Sequence, residues 1–276
     1  MRQIQIILFL NIMLMTIHSA FSGTVKIEAG FFKMGCSYDD NSCSTDEGKK
    51  GGTPVYVAEF YIDPYEISVS EYKTCVESGK CNPPFTFQRN KYCNYNAPGR
   101  DNHPVNCISW PLAQNYCEVH SARLPLEAEW EKAARAGANE RYPWGHITAT
   151  CKQAIMDDGV TTGSVNDEFD GCGEDRTWAR GSRKPNQYGL YDMAGGVAEW
   201  VYNWHSETAI ADYYSKGKLN KPDTGRLKVI RGGAWDEQAG AQTSSNRWAK
   251  IPTGHRSIYG SNGFRCVYYS KNSLNN

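Results

Sequence analysis

The residues with the clearest capacity for chemistry are the ten cysteines. No Cys-x-x-Cys pair occurs among them, which argues against a zinc knuckle and a thioredoxin-type redox centre. An even number of cysteines in an exported protein is typical of a disulfide framework. Short separations favour four local bridges and leave two distant cysteines: Cys36 with Cys43, Cys75 with Cys81, Cys93 with Cys107, Cys151 with Cys172, and the remaining Cys117 and Cys266. Other connectivities stay open, because sequence alone does not establish pairing.

The acidic pair Asp236 and Glu237, which follows Trp235, is a second candidate for chemistry. With His205 or His255 this pair could form a carboxylate-rich metal site or an acid–base site. The alternative is a solvated loop edge. The histidines beyond the first 22 residues lack the spacing of two metal ligands on one helix, which favours surface or packing roles: His103, His120, His146, His205 and His255.

The charge balance argues against one class of partner. The chain has 276 residues, with 30 Lys and Arg against 30 Asp and Glu. No run of Lys or Arg is longer than two residues, so no extended basic surface is available to neutralise a phosphate backbone. We therefore expect no nucleic-acid partner.

The first 22 residues have the pattern of a secretory signal peptide. Arg2 supplies a positive charge, an apolar stretch covers residues 4–17, and small residues follow at positions 19, 20, 22 and 23. The alternative is an uncleaved membrane anchor, but the stretch falls short of the roughly 20 residues that a spanning helix needs. The prediction is a signal peptide at 1–22 and a single mature domain at 23–276, secreted or periplasmic, with no membrane span after cleavage.

Few strands are predicted, and they lie near the two ends of the mature chain. An alternating segment of β-branched and aromatic residues at 55–62 predicts one strand. Residues 138–228 are rich in Gly, Asn, Asp and Thr, so we expect long ordered loops there. Strand-like segments follow at 229–235 and 263–270.

Three helices are predicted between these strands. Ser68 and Glu71 form a capping box that opens the first helix, and Ser109 caps the second. The third helix begins after Pro125, carries a Glu131 and Arg135 pair at four-residue spacing, and ends shortly after that pair at a glycine.

Blocks of residues along the mature chain resemble, in order and spacing, those of a known family. The blocks are MG at 34–35, YEISVSEY at 65–72, HPVNCISWPLAQNYC at 103–117, RLPLEAEWEKAARAG at 123–137, YPWG at 142–145, PNQYGLYDMAGGVAEWV at 185–201, VIRGGAW at 229–235 and NGFRC at 262–266. On these blocks the chain is identified as a member of the formylglycine-generating, sulfatase-modifying-factor family. The resemblance implies a single α+β domain with the C-type-lectin-like formylglycine-generating-enzyme fold, loop-rich and disulfide-stapled. It also implies a bridge between Cys117 and Cys266.

The resemblance locates the family's copper site, and this chain departs from it. The family's oxidases convert the Cys of a Cys-x-Pro-x-Arg sulfatase peptide into formylglycine, using molecular oxygen and copper(I). Two cysteines hold the copper, because soft thiolates select copper(I). Those two positions are Glu237 and Gln242 in this chain, and the family's nearby serine is Ala234. Copper is therefore not expected, and these positions are degenerate.

Calcium is the other metal that the resemblance implies. Glu199 and Trp200 match the family's calcium-binding block, in which a Glu and neighbouring backbone carbonyls hold the ion. The block's Asn is Gly196 here and its first Trp is Ala198, so one oxygen ligand is lost. We expect any calcium at Glu199 with Gly195 and Gly196. The alternative is that Glu199 is a buried carboxylate accepting hydrogen bonds from loop amides and that Trp200 is ordinary core.

Two classes of function follow, and the sequence leaves enzymatic activity open. The first is a noncatalytic binding or assembly module that holds a protein, peptide or glycan ligand. It is favoured because both copper-binding cysteines are replaced. The second is an oxidoreductase of the same superfamily, acting on a protein or peptide through a site that is not copper-thiolate.

Overall fold

The chain forms an α+β structure in which short elements are joined by long loops. A computed structural model describes residues 23–159, 171–173, 176–253 and 260–269. The predicted signal peptide at 1–22 and His255 lie outside the described residues. The strands are, in chain order, β1 (Val25–Ile27), β2 (Gly30–Met34), β3 (Thr53–Val57), β4 (Phe60–Ile62), β5 (Ala198–Trp204), β6 (Lys228–Arg231), β7 (Trp248–Lys250), β8 (Asn262–Gly263) and β9 (Val267–Tyr268).

These strands form three sheets with the orders β1-β4-β9, β2-β3 and β7-β6-β5-β8. The strand predicted at 55–62 is divided, because the chain leaves the β2-β3 hairpin after Val57 and joins β1 in another sheet at Phe60. The strand predicted at 229–235 ends at Arg231. The segment predicted at 263–270 contributes two short strands, β8 and β9, to two different sheets.

The three predicted helices are confirmed, and a fourth, short helix lies inside the region 138–228 that was predicted to be loop. They are α1 (Val69–Glu77), α2 (Trp110–Val119), α3 (Glu127–Arg135) and the short α4 (Ala209–Asp212), with 3-10 turns at Thr45–Glu47, Tyr214–Lys216 and Ala239–Gln242. Within the described part of the chain, no helix has the length and apolar character needed to cross a membrane.

The capping box of α1 is confirmed. The Ser68 hydroxyl accepts a hydrogen bond from the Glu71 amide at 3.2 Å, and the Glu71 carboxylate accepts one from the Ser68 amide at 2.8 Å. Ser109 does precede α2, but its side chain makes no capping hydrogen bond. Pro111 stands in the first turn of α2 and presets its backbone.

The central strand β5 lies inside the region predicted to be loop. Its neighbouring side chains point into two different apolar clusters. Val201 packs with Val229 in one cluster, and Trp200 packs with Ile230 in the other. A strand covered on both faces shows no polar and apolar alternation, and two buried polar residues interrupt its apolar run. The local pattern therefore gave no strand signal.

Helix α3 is buried on every side, although five of its nine residues are charged. Arg231 and Arg247 contact the Glu127 carboxylate at 3.0 and 2.6 Å. Arg231 also contacts Glu131 at 2.6 Å, and the predicted pair of Glu131 with Arg135 is confirmed at 2.8 Å. Because buried charges are stable only when paired, these contacts fix the helix against β6 and the segment that contains Arg247.

Neutralising Glu127 should destabilise the fold and flatten its acid sensitivity. Burial disfavours the charged carboxylate, but Arg247 and Arg231 outweigh burial and lower the pKa of Glu127 from 4.5 to about 2. The stability that this ionised group contributes is complete above its unfolded pKa and is lost as the pH falls towards 2. We expect Glu127→Gln to cost about 3–5 kcal/mol at pH 7. As the pH decreases from 5 to 3, the free energy of unfolding of Glu127→Gln, measured with urea, should decrease less steeply than that of the parent.

The exposed carboxylate variant Glu77→Gln is the matched control. It should leave both the stability at pH 7 and the acid slope close to those of the parent. Identical acid slopes for the parent and Glu127→Gln would contradict the assignment.

The predicted disulfide framework is confirmed in full. The bridges are Cys36 with Cys43, Cys75 with Cys81, Cys93 with Cys107, Cys117 with Cys266, and Cys151 with Cys172. All ten cysteines of the chain are used, and none is free.

Loss of the long-range bridge should cost more stability than loss of a short one. Cys117 and Cys266 are 149 residues apart, whereas Cys75 and Cys81 are 6 apart. Chain entropy predicts stabilisation of about 5 kcal/mol for the long loop and about 2 kcal/mol for the short one. Urea unfolding of Cys117→Ala/Cys266→Ala should therefore have a lower midpoint than that of Cys75→Ala/Cys81→Ala. The reverse order would refute the entropic argument.

Candidate functional site

The candidate site begins where β6 ends in a two-glycine turn. Gly232 and Gly233 have φ values of 96° and 69°, a conformation that favours glycine. A Cβ at Gly232 would lie 3.0 Å from the Trp130 ring, and one at Gly233 would lie 2.6 Å from the Gln242 side-chain oxygen. The turn therefore needs glycine at both positions to bring the following loop back against the sheet.

The structure brings Ala234, Glu237 and Gln242 together. Gln242 is fully buried, and its side-chain amide donates to the carbonyl oxygens of Ala234 at 3.1 Å and Glu237 at 3.0 Å. The Gln242 side chain thus links two points of the loop backbone. Since every cysteine of the chain is in a disulfide, no thiol is available at this place.

The acidic pair of this loop, Asp236 and Glu237, has the Lys250 amine nearby. Burial raises the pKa of both Asp236 and Glu237, while the charge of Lys250 opposes that rise. Burial lowers the pKa of Lys250, and the two carboxylates oppose this. Lys250 also donates to the Asn262 side-chain oxygen at 2.7 Å. Burial therefore favours the uncharged forms of the two carboxyl groups and of the amine more than water does.

Three buried acceptor atoms of this loop have no hydrogen-bond donor among the described residues. They are Asp236 Oδ1, Glu237 Oε2 and Gln242 Oε1. A buried acceptor without a donor costs about 1–3 kcal/mol. The loop is therefore suited to a donor group, a proton or a water molecule, and has no soft ligand for copper(I).

The histidine expected beside the acidic pair lies elsewhere. His205 follows the far end of β5, and its Nε2 lies 3.2 Å from Asp46. The acidic pair follows the opposite end of the neighbouring antiparallel strand β6, so the expectation that His205 joins it is wrong. Within the part of the chain that the structure describes, no cluster of three or more His, Cys, Asp or Glu side chains is arranged to hold a metal ion.

Glu199 is buried and fully engaged by two side chains. Arg265 contacts its two oxygens at 2.7 and 2.8 Å, and the Trp130 indole donates to it at 2.8 Å. Both members of the ion pair have fully buried side chains. The alternative for Glu199, a buried carboxylate, is therefore confirmed, although its donors are the side chains of Arg265 and Trp130 rather than loop amides. Trp200 is core, as that alternative stated.

The glycines that precede Glu199 are closely packed. A Cβ at Gly195 would lie 2.3 Å from the Ile155 carbonyl oxygen, and one at Gly196 would lie 2.7 Å from the Glu66 carboxyl. The Glu66 carboxyl accepts a hydrogen bond from the Val197 amide at 2.9 Å. Glu66 thus occupies the space that a side chain at position 196 would need.

The residues around Glu199 do not fit a calcium ion in this arrangement. The Arg265 guanidinium already holds both Glu199 oxygens. Burial raises the pKa of Glu66 well above its ordinary value, and the charges of Asp192 and Glu199 raise it further. A protonated carboxyl is a poor calcium ligand, because calcium binds charged or carbonyl oxygens. Calcium at Glu199 would require Arg265 to move.

Comparison with known proteins places this geometry in a family. The model of the sulfatase-modifying factor enzyme 1-like domain matches residues 15–269. The chain belongs to this family. Its α+β architecture, long loops and disulfides are those of the formylglycine-generating-enzyme fold.

The chain is similar in sequence both to a family member named as an enzyme and to one named as inactive. It is 36% identical over 177 residues to the formylglycine-generating enzyme of Streptomyces coelicolor, covering 61% of this chain and 54% of that protein. It is 31% identical over 170 residues to the inactive C-alpha-formylglycine-generating enzyme 2 of Bos taurus, covering 59% and 50%. The chain thus spans about half the length of both relatives.

The structure of PvdO from Pseudomonas aeruginosa shows the same family fold over nearly the whole molecule. The TM-score is 0.68 at 27% identity, and the match covers 88% of this chain and 93% of that one.

Sequence reasoning missed the partners that complete this family site. Glu66 and Arg265 both lie inside family blocks, at YEISVSEY and NGFRC, but the motifs indicated a helix start and a disulfide rather than contacts with the segment around Glu199. Lys250 lies outside every block, so it gave no signal. A count of ionisable residues within buried motifs would have found the first two.

Removing the charge of Glu199 should destabilise the protein, and calcium should not restore it. Glu199→Gln leaves Arg265 buried without its counter-ion, for which we expect a loss of about 3–5 kcal/mol by urea unfolding. Because Arg265 already fills the cation position, millimolar calcium should leave the melting temperature of the parent unchanged.

Glu118→Gln, which removes an exposed carboxylate from α2, controls for loss of charge. A calcium-dependent rise in the parent's melting temperature that disappears in Glu199→Gln would place the ion at this carboxylate after all.

Proposed function

We propose that this chain is an exported, noncatalytic member of the sulfatase-modifying factor family, which binds a partner and carries out no copper-dependent oxidation. The observation that carries the proposal is the state of its cysteines. All ten are in disulfides, and the two copper-ligand positions hold Glu237 and Gln242. A copper(I) site of the family's kind needs two free thiolates, and this chain has none.

The use made of Gln242 supports the same conclusion. Its amide is bonded to two backbone carbonyls of the loop, so the position now serves the loop's stability. A family relative from Bos taurus is itself named as inactive, which is in keeping with a scaffold that persists without the oxidase activity.

The proposed location is the secretory or periplasmic space. Five disulfides in one chain are typical of an oxidising compartment, in agreement with the predicted signal peptide. The proposed partner is a protein, peptide or glycan, since no basic surface for nucleic acid is indicated.

The second candidate is an oxidoreductase with a site that is not copper-thiolate, and one observation supports the proton-transfer part of such a reaction. Asp236 and Glu237 each have a buried oxygen without a donor among the described residues, and Lys250 is the nearby amine. Because burial favours the uncharged form of each of these groups, they could accept or donate a proton. Oxygen consumption by the purified mature protein distinguishes this candidate from the binding module.

The test of the main proposal is a thiol-pair restoration. The parent should bind no stoichiometric copper(I) and should convert no Cys-x-Pro-x-Arg peptide. The variant Glu237→Cys/Gln242→Cys should bind about one equivalent of copper(I), because it has two thiolates in one loop. The variant Glu237→Ser/Gln242→Ser is the matched control without sulfur. Formylglycine formed by the parent above a no-enzyme blank, detected by mass spectrometry, would overturn the proposal.

A further inference from the structure

Three aromatic side chains surround the ammonium group of Lys228. Its nitrogen lies 3.9 Å from the ring centroid of Trp110, 4.0 Å from that of Trp204 and 5.1 Å from that of Tyr202. All three distances are within the roughly 6 Å over which the face of an aromatic ring attracts a cation. We call these three residues the aromatic cage. The cage therefore surrounds one cation with three electron-rich rings.

The cage and its cation come from three neighbouring elements. Trp110 is the first residue of α2, and Tyr202 and Trp204 belong to β5. Lys228 is the first residue of β6 and the cross-strand partner of Trp204. The Trp110 indole donates a hydrogen bond to the Val201 carbonyl oxygen at 2.8 Å, which holds its ring against β5. The strand register and this hydrogen bond thus fix the rings around the ammonium group.

The cage takes the place of a counter-ion. Lys228 is 3% exposed, and it forms no ion pair with a carboxylate of the described residues. Its ammonium group donates a hydrogen bond to the Tyr202 carbonyl oxygen at 2.6 Å. Burial lowers the pKa of Lys228 to about 8, so the charged form still predominates at pH 7. A buried charge needs compensation, and the rings and this carbonyl oxygen are the groups in contact that can provide it.

We propose that the aromatic cage is a binding site for an alkylammonium group and that Lys228 is its occupant, supplied by the same chain. The position of Lys228 identifies the chemical class of the ligand, because an alkylammonium group is already seated between the rings. While Lys228 stays in place, it closes the site to ammonium ions from outside. The inference goes beyond the proposed function and does not depend on it.

The alternative is that Lys228 is buried for the packing of its hydrocarbon stem alone. Long cationic side chains that pack in this way usually extend their charged end into water. Water is close to the cage, because Tyr202 is 37% exposed. The Lys228 nitrogen nevertheless contacts rings and a backbone carbonyl oxygen. Its position therefore favours recognition of the charge, and the partly exposed Tyr202 gives a small ion a route of entry.

The first test is chemical rescue of Lys228→Ala, which lacks the ammonium group and most of the stem. Propylammonium replaces the missing atoms, so at about ten times its dissociation constant it should raise the melting temperature of this variant by about 3–5 °C. 1-Propanol has a similar size and donates a hydrogen bond but carries no charge, so it should give no comparable rise. The parent should not respond to propylammonium, because Lys228 fills its cage.

Two variants control for the site. Lys218→Ala removes an exposed lysine outside the cage, and its melting temperature should not rise with propylammonium. Lys228→Ala/Trp204→Ala lacks one wall of the cage and should lose the rescue. Equal rescue by 1-propanol, rescue that persists without the Trp204 ring, or no rescue of a folded Lys228→Ala would each overturn the inference.

A second measurement uses the parent and decides the question if Lys228→Ala does not fold. The Cε resonance of Lys228, followed by carbon NMR as the pH rises, should show an ammonium group at pH 7. The ring currents of the two tryptophans should shift the protons on Cε upfield. An uncharged amine at pH 7, or protons without that shift, would contradict the proposal. No step of either test involves copper or formylglycine, so failure here and failure of the proposed function are distinguishable.

Discussion

The buried ion network of α3 is the constraint on which the rest of the structure depends. Glu127 and Glu131 lie inside the molecule, and each needs at least one guanidinium to be stable there. Arg231 contacts both carboxylates from the end of β6, and Arg247 contacts Glu127 from beyond the loop that contains Glu237 and Gln242. The loop from Gly232 to Gln242 is therefore anchored at both sides. Its conformation is therefore set in part by charge pairing outside it.

The Glu199 and Arg265 pair applies the same logic to the central sheet. Glu199 belongs to β5, and Arg265 immediately precedes Cys266, whose disulfide reaches Cys117 in α2. One ion pair and one covalent bond at adjacent positions thus hold the sheet against the helix. The cost of burying two charges is offset here by three short contacts and the indole of Trp130. A cation would compete with Arg265 for the same oxygens, which is why the site differs in chemistry from an open calcium loop.

The copper chemistry of the family and the scaffold of this chain depend on different interactions. Copper(I) binding depends on two sulfur atoms, whereas the fold depends on disulfides, buried ion pairs and two apolar clusters that do not include those positions. The family fold can thus persist without its oxidase site.

The sequence by itself determined the features whose physics is local. The Ser68 capping box acts over three residues, the pair of Glu131 with Arg135 acts over four, and the short disulfides follow from small separations. The family blocks indicated the fold and the long disulfide. Only the tertiary structure decided that α3 is buried, that β5 is the central strand, and that Arg265 neutralises Glu199. These depend on partners 66 to 120 residues away along the chain, and no local pattern specifies which distant charge will meet a given carboxylate once the chain has folded.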